Sequence, residues 1–261
     1  MIGQGGRLQR HWDIRAALNF MLGGTGAGLM LASAFFLESG EIPALVSLIL
    51  VAAGLGAVWL EIGRKLRALH VMFNPFTSWM TRESFAALLL FVLGISGIAF
   101  QQKLAVYAAA LAALAFLYCQ ARILRAAKGI PAWRAPQVVP LIVSTGLAEG
   151  LGLALFFDSG IPLLSAFALA VAARAFAWTR YRAAVKAPLL EPAGRTLVLL
   201  GTVVAVALAA AAWAVPALAP LAGLAGLAAA ASGWRLKLAL VTRAAFKQEF
   251  SLAHLPVRGT R

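Results

Sequence analysis

The chain has 261 residues, of which 62% are hydrophobic and only 12% charged, with a mean hydropathy of +0.87 and a formal net charge of +14. That is more apolar surface than a soluble domain of this length can bury, which excludes a water-soluble globule, and the single cysteine, Cys119, excludes a disulfide-built scaffold. Apolar runs of about 18 to 21 residues recur, each long enough at ~1.5 Å per residue to cross a ~30 Å hydrocarbon layer, and they predict an all-α polytopic membrane protein with eight transmembrane helices.

In chain order, residues 1–18 form a basic, amphipathic segment with Arg7, Arg10 and Arg15 around His11 and Trp12, suited to the membrane interface. The first apolar run, Asn19 to Leu37, is too long for a signal-peptide core and is expected to remain as an anchor. Its glycines, Gly23, Gly24, Gly26 and Gly28, suit close packing against another helix. A turn with Glu38, Gly40 and Glu41 leads to span two, Ile42 to Ile62, and spans three and four follow at Ser84 to Gln101 and Leu104 to Leu124. The connection 125–137 carries Pro131 and Pro136, which forbid simple helical continuation. Spans five to eight are expected at Val138 to Phe157, Ile161 to Arg180, Thr196 to Val215 and Ala217 to Trp234, giving a transmembrane domain over 19–234 and a basic tail over 235–261. The hairpin order suggests two four-helix groups, spans one to four and five to eight.

Of the 23 Lys and Arg residues, only Lys103 falls on the side that holds Glu38, Glu41 and Asp158. Short basic loops resist translocation, so both termini and the long loops are expected in the cytoplasm of a bacterial inner-membrane protein. Spread over alternate loops, the charge follows membrane topology and does not point to nucleic acid.

The stretch from Leu60 to Phe85 concentrates ionisable, aromatic and turn residues between two apolar runs. Glu61 closes one run and Glu83 opens the next, so both carboxylates belong at one membrane boundary, with Arg64, Lys65, Arg67, His70 and Arg82 between them. Two readings stand: proton exchange by a desolvated acid, or salt bridging to the arginines at the headgroups. His70 can serve a quinone carbonyl or simply face lipid and solvent, and Phe73, Phe76 and Trp79 can wall a flat ring or seat a loop.

Glu149 stands near the middle of span five, where an ionised carboxylate costs about 2.5 kcal/mol or more, so it is expected to be protonated, paired or wet. It is a proton-path candidate; a hydrogen bond to Ser144 or Thr145 is the structural alternative, and Arg174 is a possible counter-charge. Basic residues interleave with aromatics in the loop after span four and in the tail, where Arg125, Lys128, Trp133, Arg134, Arg243 and Lys247 suit either lipid anchoring or docking of a soluble partner. The histidines, His11, His70 and His254, all lie outside the apolar cores, so neither a bis-histidine haem nor a cysteine-ligated iron–sulfur cluster is expected in this chain.

The segments LEIGRKLRALHVMFNPFTSWMTRE (60–83), RILRAAKGIPAWR (122–134), STGLAEG (144–150) and LVTRAAFKQEFSLAHLPVRG (240–259) resemble the membrane anchor subunits of dimethyl sulfoxide reductase-type molybdoenzymes, the DmsC branch of the NrfD-like group. The resemblance implies an anchor that exchanges electrons between membrane quinone, menaquinone or ubiquinone, and an iron–sulfur, ferredoxin-like partner, itself joined to a molybdopterin catalytic subunit. In that family a His-Leu-Gly helix end is followed by an Arg-Ala pair and an Asn-Glu at the next helix. Gly63, Arg67, Ala68 and Glu83 match it, while Glu61 stands where the family has its functional histidine. The quinone-binding set implied is therefore Glu61, Gly63, Arg67, His70, Trp79, Arg82 and Glu83. A cytoplasm-facing pocket departs from the periplasmic orientation of dimethyl sulfoxide reductase and favours a cytoplasmic relative, such as phenylacetyl-CoA:acceptor oxidoreductase-like complexes. A stand-alone transporter, suggested by Glu149, Arg174 and the glycine-rich first span, and a purely structural anchor are the competing classes.

Overall fold

A computed structural model describes residues 8–9, 12–37, 40–62 and 70–247. Gly63, Arg64, Lys65, Arg67, His11 and His254 lie outside the described residues.

The chain is a bundle of long helices: α1 (Ile14–Phe35), α2 (Glu41–Glu61), α3 (Trp79–Ala99), α4 (Lys103–Ala126), α5 (Val138–Ala154), α6 (Ile161–Ala184), α7 (Pro188–Ala214) and α8 (Leu221–Thr242). Seven are long and apolar enough to cross a membrane; the exception is α5, apolar but only 17 residues long. The protein is thus an all-α, multi-pass membrane protein. α1 begins five residues before the expected start, where Asp13 caps it by accepting from the Arg15 backbone N–H at 2.7 Å. The Arg15 side chain closes on the same carboxylate at 2.9 Å and, with that hydrogen bond, holds Asp13 below the usual carboxylate range.

The helices do not divide at the chain's midpoint into two groups of four. α5 packs against α1, α4, α6 and α8, and most of its residues are buried. An interior helix meets protein rather than lipid, so the full bilayer thickness does not dictate its length. Its close approach to neighbours depends on glycine: a Cβ on Gly150 would collide with the Gly28 backbone of α1, and one on Gly226 of α8 with the Gly152 backbone. Large apolar side chains such as Ile49, Leu89, Leu169 and Leu199 point outward, as lipid contact requires.

Two helices contain a wide π turn, α1 at Asn19–Gly23 and α7 at Leu199–Val204. In each, a carbonyl accepts from a buried side chain of another helix: Gln120 Nε2 donates to Asn19 O at 2.9 Å, and Arg174 donates to Gly201 O. Such turns recur where backbone groups are diverted to a local purpose.

One end of the bundle gathers the connections and the described ends of the chain. Leu8 pairs with Phe246, Trp133 Nε1 donates to Leu240 O at 2.8 Å, Tyr181 Oη donates to Ala132 O at 2.8 Å, and the Trp12 and Trp133 rings lie 4.9 Å apart. This end also holds the exposed cations Arg125, Lys128, Arg134, Lys186, Arg243 and Lys247, whereas Lys103, Glu41 and Asp158 lie at the other.

Gly150→Ala should destabilise the bundle by about 1–3 kcal/mol, because its methyl group has only backbone to displace. Gly56→Ala meets nothing within 4 Å and should be silent; thermal unfolding in detergent compares the two.

Candidate functional site

A cavity of about 720 Å³ opens at the basic end between α1, α2 and α3. Trp12, Ala16, Asn19 and Phe20 form one wall and Leu55, Trp59, Glu61 and Ile62 another, while Val71, Met80, Glu83 and Ser84 close it. The two carboxylates expected at one membrane boundary thus share a cavity.

Their surroundings differ. Glu61 is half-buried at the end of α2, where Arg15 donates to Leu60 O at 3.3 Å and stands as an electrostatic neighbour. Glu83 is buried one turn into α3, and its Oε1 accepts from Asn19 Nδ2 at 3.1 Å, with the Gln120 side chain also in reach of the carboxylate. Asn19 belongs to the π turn, so the turn aims an amide at the carboxylate.

Trp79, Arg82 and His70 do not line the cavity. The Arg82 guanidinium lies 4.2 Å from the Trp79 ring centroid and donates to Pro75 O at 2.8 Å and Phe76 O at 2.7 Å. Arg122 of α4 stands over the same ring at 4.1 Å. Together with the Thr81 hydroxyl, which donates to Val71 O, these contacts fasten the loop 70–78 onto α3 and hold Val71 at the cavity. His70 is exposed, edge-on to Phe73. Among the basic-end residues expected to dock a partner, Arg125, Lys128, Arg134, Arg243 and Lys247 are exposed, whereas Trp133 is 2% exposed and packs inside.

The second polar feature lies deeper. Lys237 Nζ of α8 contacts Glu149 Oε2 of α5 at 2.6 Å, with both side chains fully buried. Thr25 Oγ1 lies 2.9 Å from the same carboxylate oxygen and 2.8 Å from Met21 O, so its one proton serves either acceptor, and Trp234 Nε1 donates to the hydroxyl at 2.9 Å. Ser144 and Thr145 turn instead to carbonyls of their own helix, Pro140 O at 2.7 Å and Leu141 O at 2.6 Å. Arg174 donates to Ala229 O at 2.8 Å as well as to Gly201 O, contributing charge near Glu149 without pairing with it. Lys237 falls in the stretch that the sequence reads as tail; α8 carries it into the bundle. Asn19 and Gln120 are functional candidates that hydropathy alone passes over, although an amide inside an apolar run is the same kind of signal as Glu149.

Among the described residues no cluster of three or more His, Cys, Asp or Glu side chains is arranged to hold a metal ion. No family model matches the chain. Over 145 residues it is 30% identical to a sulfite dehydrogenase subunit of Allochromatium vinosum, a stretch that covers 48% of this chain and 45% of that protein.

Lys237→Met strands a buried carboxylate and should cost about 3–5 kcal/mol, read as lost thermal stability in detergent. Adding Glu149→Gln removes the stranded charge and should restore most of the loss.

Proposed function

We propose that this chain is the membrane anchor of an oxidoreductase complex and that the cavity between α1, α2 and α3 is its quinone site. The observation that carries the reading is the cavity itself: two carboxylates, one half-buried and one buried and amide-bonded, face a space of about 720 Å³ lined by Trp12, Phe20 and Trp59. Partial similarity to one component of a sulfite dehydrogenase supports the anchor role, as does the sequence resemblance to the DmsC and NrfD-like anchors.

The residues present fit such a ligand. Flat aromatic walls suit a ring, and acids at the mouth and floor suit groups that gain and lose protons. A bound quinone supplies two-electron chemistry coupled to two protons. Asn19 holds the Glu83 carboxylate toward the cavity, Glu83 exchanges a proton there as general acid or base, and Glu61 exchanges protons with the basic end. In the same reading Gly63, Arg67 and His70 keep the quinone-binding role that the family resemblance implies, and Arg82 and Trp79 act through the loop 70–78.

Electrons come from an iron–sulfur, ferredoxin-like partner joined to a molybdopterin catalytic subunit. Its seat is the basic end, and the gathering of Lys and Arg there supports a cytoplasmic orientation in a bacterial inner membrane, with α5 as an eighth membrane-embedded helix. The exposed cations Arg125, Lys128, Arg243 and Lys247 give it an electrostatic surface for an acidic face.

Glu83→Gln should lower quinone-linked turnover of the purified complex about 100-fold, with dye-linked activity of the soluble subunits retained. Glu61→Gln should lower it less, because Glu61 is the more exposed acid. Wild-type quinone turnover in both variants would overturn the assignment. Charge reversal at Arg125 and Lys128 should weaken co-purification of the partner and make it more salt-sensitive, without changing the yield of this chain.

A further inference from the structure

Between the cavity and the Glu149–Lys237 pair the interior is polar along one line. Asn19 is 6% exposed and Gln120 and Glu149 fully buried, yet Asn19 Oδ1, Gln120 Oε1 and Glu149 Oε1 each lack a hydrogen-bond partner among the described residues. Buried acceptors of this kind are nearly always satisfied, and where protein supplies no donor an ordered water does. Gly24 lies between them. The position a Cβ would take there is 2.5 Å from Lys237 Nζ and 3.7 Å from Gln120 Oε1, so both groups border this Cα and stand near enough to each other for a water to bridge them. The adjacent Gly23 faces Gln120 Nε2 at 2.7 Å in the same way. Two glycines of the first helix thus let the Gln120 amide and the Lys237 ammonium approach its backbone between one buried carboxylate and the other.

We infer that Glu83, Asn19, Gln120, Lys237 and Glu149 form a water-bridged proton relay that joins the cavity to an internal ion pair. The inference rests on the quinone reading for its purpose and on the buried polar line for its existence.

Toward the opposite end the crossings of α5 with α1 and α8 are tightly packed. α5 meets α1 through Gly28 and Gly150 and α8 through Gly152 and Gly226, among Leu29, Leu151 and Phe167, and the nearby Ser33 and Ser47 hydroxyls are spent on backbone carbonyls. The relay therefore opens at the basic end, through the cavity.

The balance is simple. When Glu83 gives up a proton at the cavity, Lys237 releases one into the bridging waters to restore it. The O–H bond of Glu83 breaks and re-forms, one N–H bond of Lys237 breaks, and Arg174 remains as the cation beside Glu149. After turnover Lys237 is refilled from the basic end through the cavity. The electrons come from the iron–sulfur partner, and oxidation of a quinol runs the same transfers in reverse. The groups facing Glu149 are Thr25 from α1, Arg174 from α6, and Trp234 and Lys237 from α8.

Gly24→Ala tests the relay without removing a charge, since its methyl group crowds Lys237 Nζ, the flexible end of that side chain, and pushes it from its place beside Gln120. In the purified complex it should lower quinone-linked kcat by about tenfold or more at unchanged KM and raise the solvent deuterium isotope effect. Glu149→Gln with Lys237→Met should do the same, and dye-linked activity should persist in both. In parallel, infrared spectra of the purified full chain report the Lys237 ammonium deformation band, identified by its loss in the double variant Glu149→Gln with Lys237→Met. The band should shift within minutes of transfer to deuterium oxide, and about tenfold more slowly in Gly24→Ala. Slow exchange in the wild type, or exchange and kcat indifferent to Gly24→Ala, overturns the relay. Fast, Gly24-dependent exchange in a complex that does not turn over quinone upholds the relay and removes the quinone reading alone.

Discussion

The structure depends on keeping four ionised-type side chains, Glu83, Glu149, Arg174 and Lys237, inside an apolar bundle; among the described residues these are the buried charged groups. Withdrawing a carboxylate or an ammonium from water costs several kcal/mol per ion after relaxation, and only close partners repay it. The inventory is balanced, two acids against two bases, and each group has its own local arrangement. Lys237 closes on Glu149, Arg174 takes two backbone carbonyls, and Glu83 takes an amide. These contacts require α5 in the interior, α8 continuing past Trp234, and glycines wherever the helices must approach.

The same demand explains the π turns. A regular helix spends its carbonyls on itself, whereas Asn19 O and Gly201 O meet Gln120 and Arg174. In α1 the turn also brings Asn19 round to Glu83, so one local distortion serves both the packing of α4 and the floor of the cavity. Arg82 and Trp79 act one layer further out. By holding the Pro75 and Phe76 carbonyls and stacking with Arg122, they fix a loop whose own apolar residues, Phe73 and Phe76, are largely exposed.

Much of this is legible in the sequence, for physical reasons that also mark the limit. Run length reports spans directly, because crossing hydrocarbon sets a minimum, and seven helices obey it. The short α5 does not, since its environment is protein. Glu61 and Glu83 are readable as neighbours because each ends a run at the same connection, which leaves little freedom in where they meet. Glu149 is readable as costly, but its partner is not. Arg174 is nearer in sequence and equally basic, yet Lys237 is the contact, because the pairing depends on how α5 crosses α8. Hydropathy places Lys237 outside the bundle, since a lysine three residues after Trp234 reads as a helix end. Trp133 looks like a surface anchor among basic residues, and only the fold of the connection turns its indole onto Leu240 O.

The polar line and the glycine crossings oppose each other along α5. On the basic side of Glu149 the neighbours are two amides with unpartnered oxygens, the Thr25 hydroxyl and the Lys237 ammonium; where α5 crosses α1 and α8 beyond it they are glycine backbones and Ala, Leu and Phe side chains. Water needs two or more polar partners to remain in a protein interior, so the first region can hold it and the second cannot. Glu149 stands at that boundary, with its one unpartnered oxygen beside Gly233, where a Cβ would strike it. A side chain at position 233 would push the carboxylate off Lys237, so the small residue is part of how the ion pair is held. Glycines therefore set how closely the helices pack beside the ion pair, while Arg174, on the Ala229 and Gly201 carbonyls, carries the polar interior on toward α6 and α7.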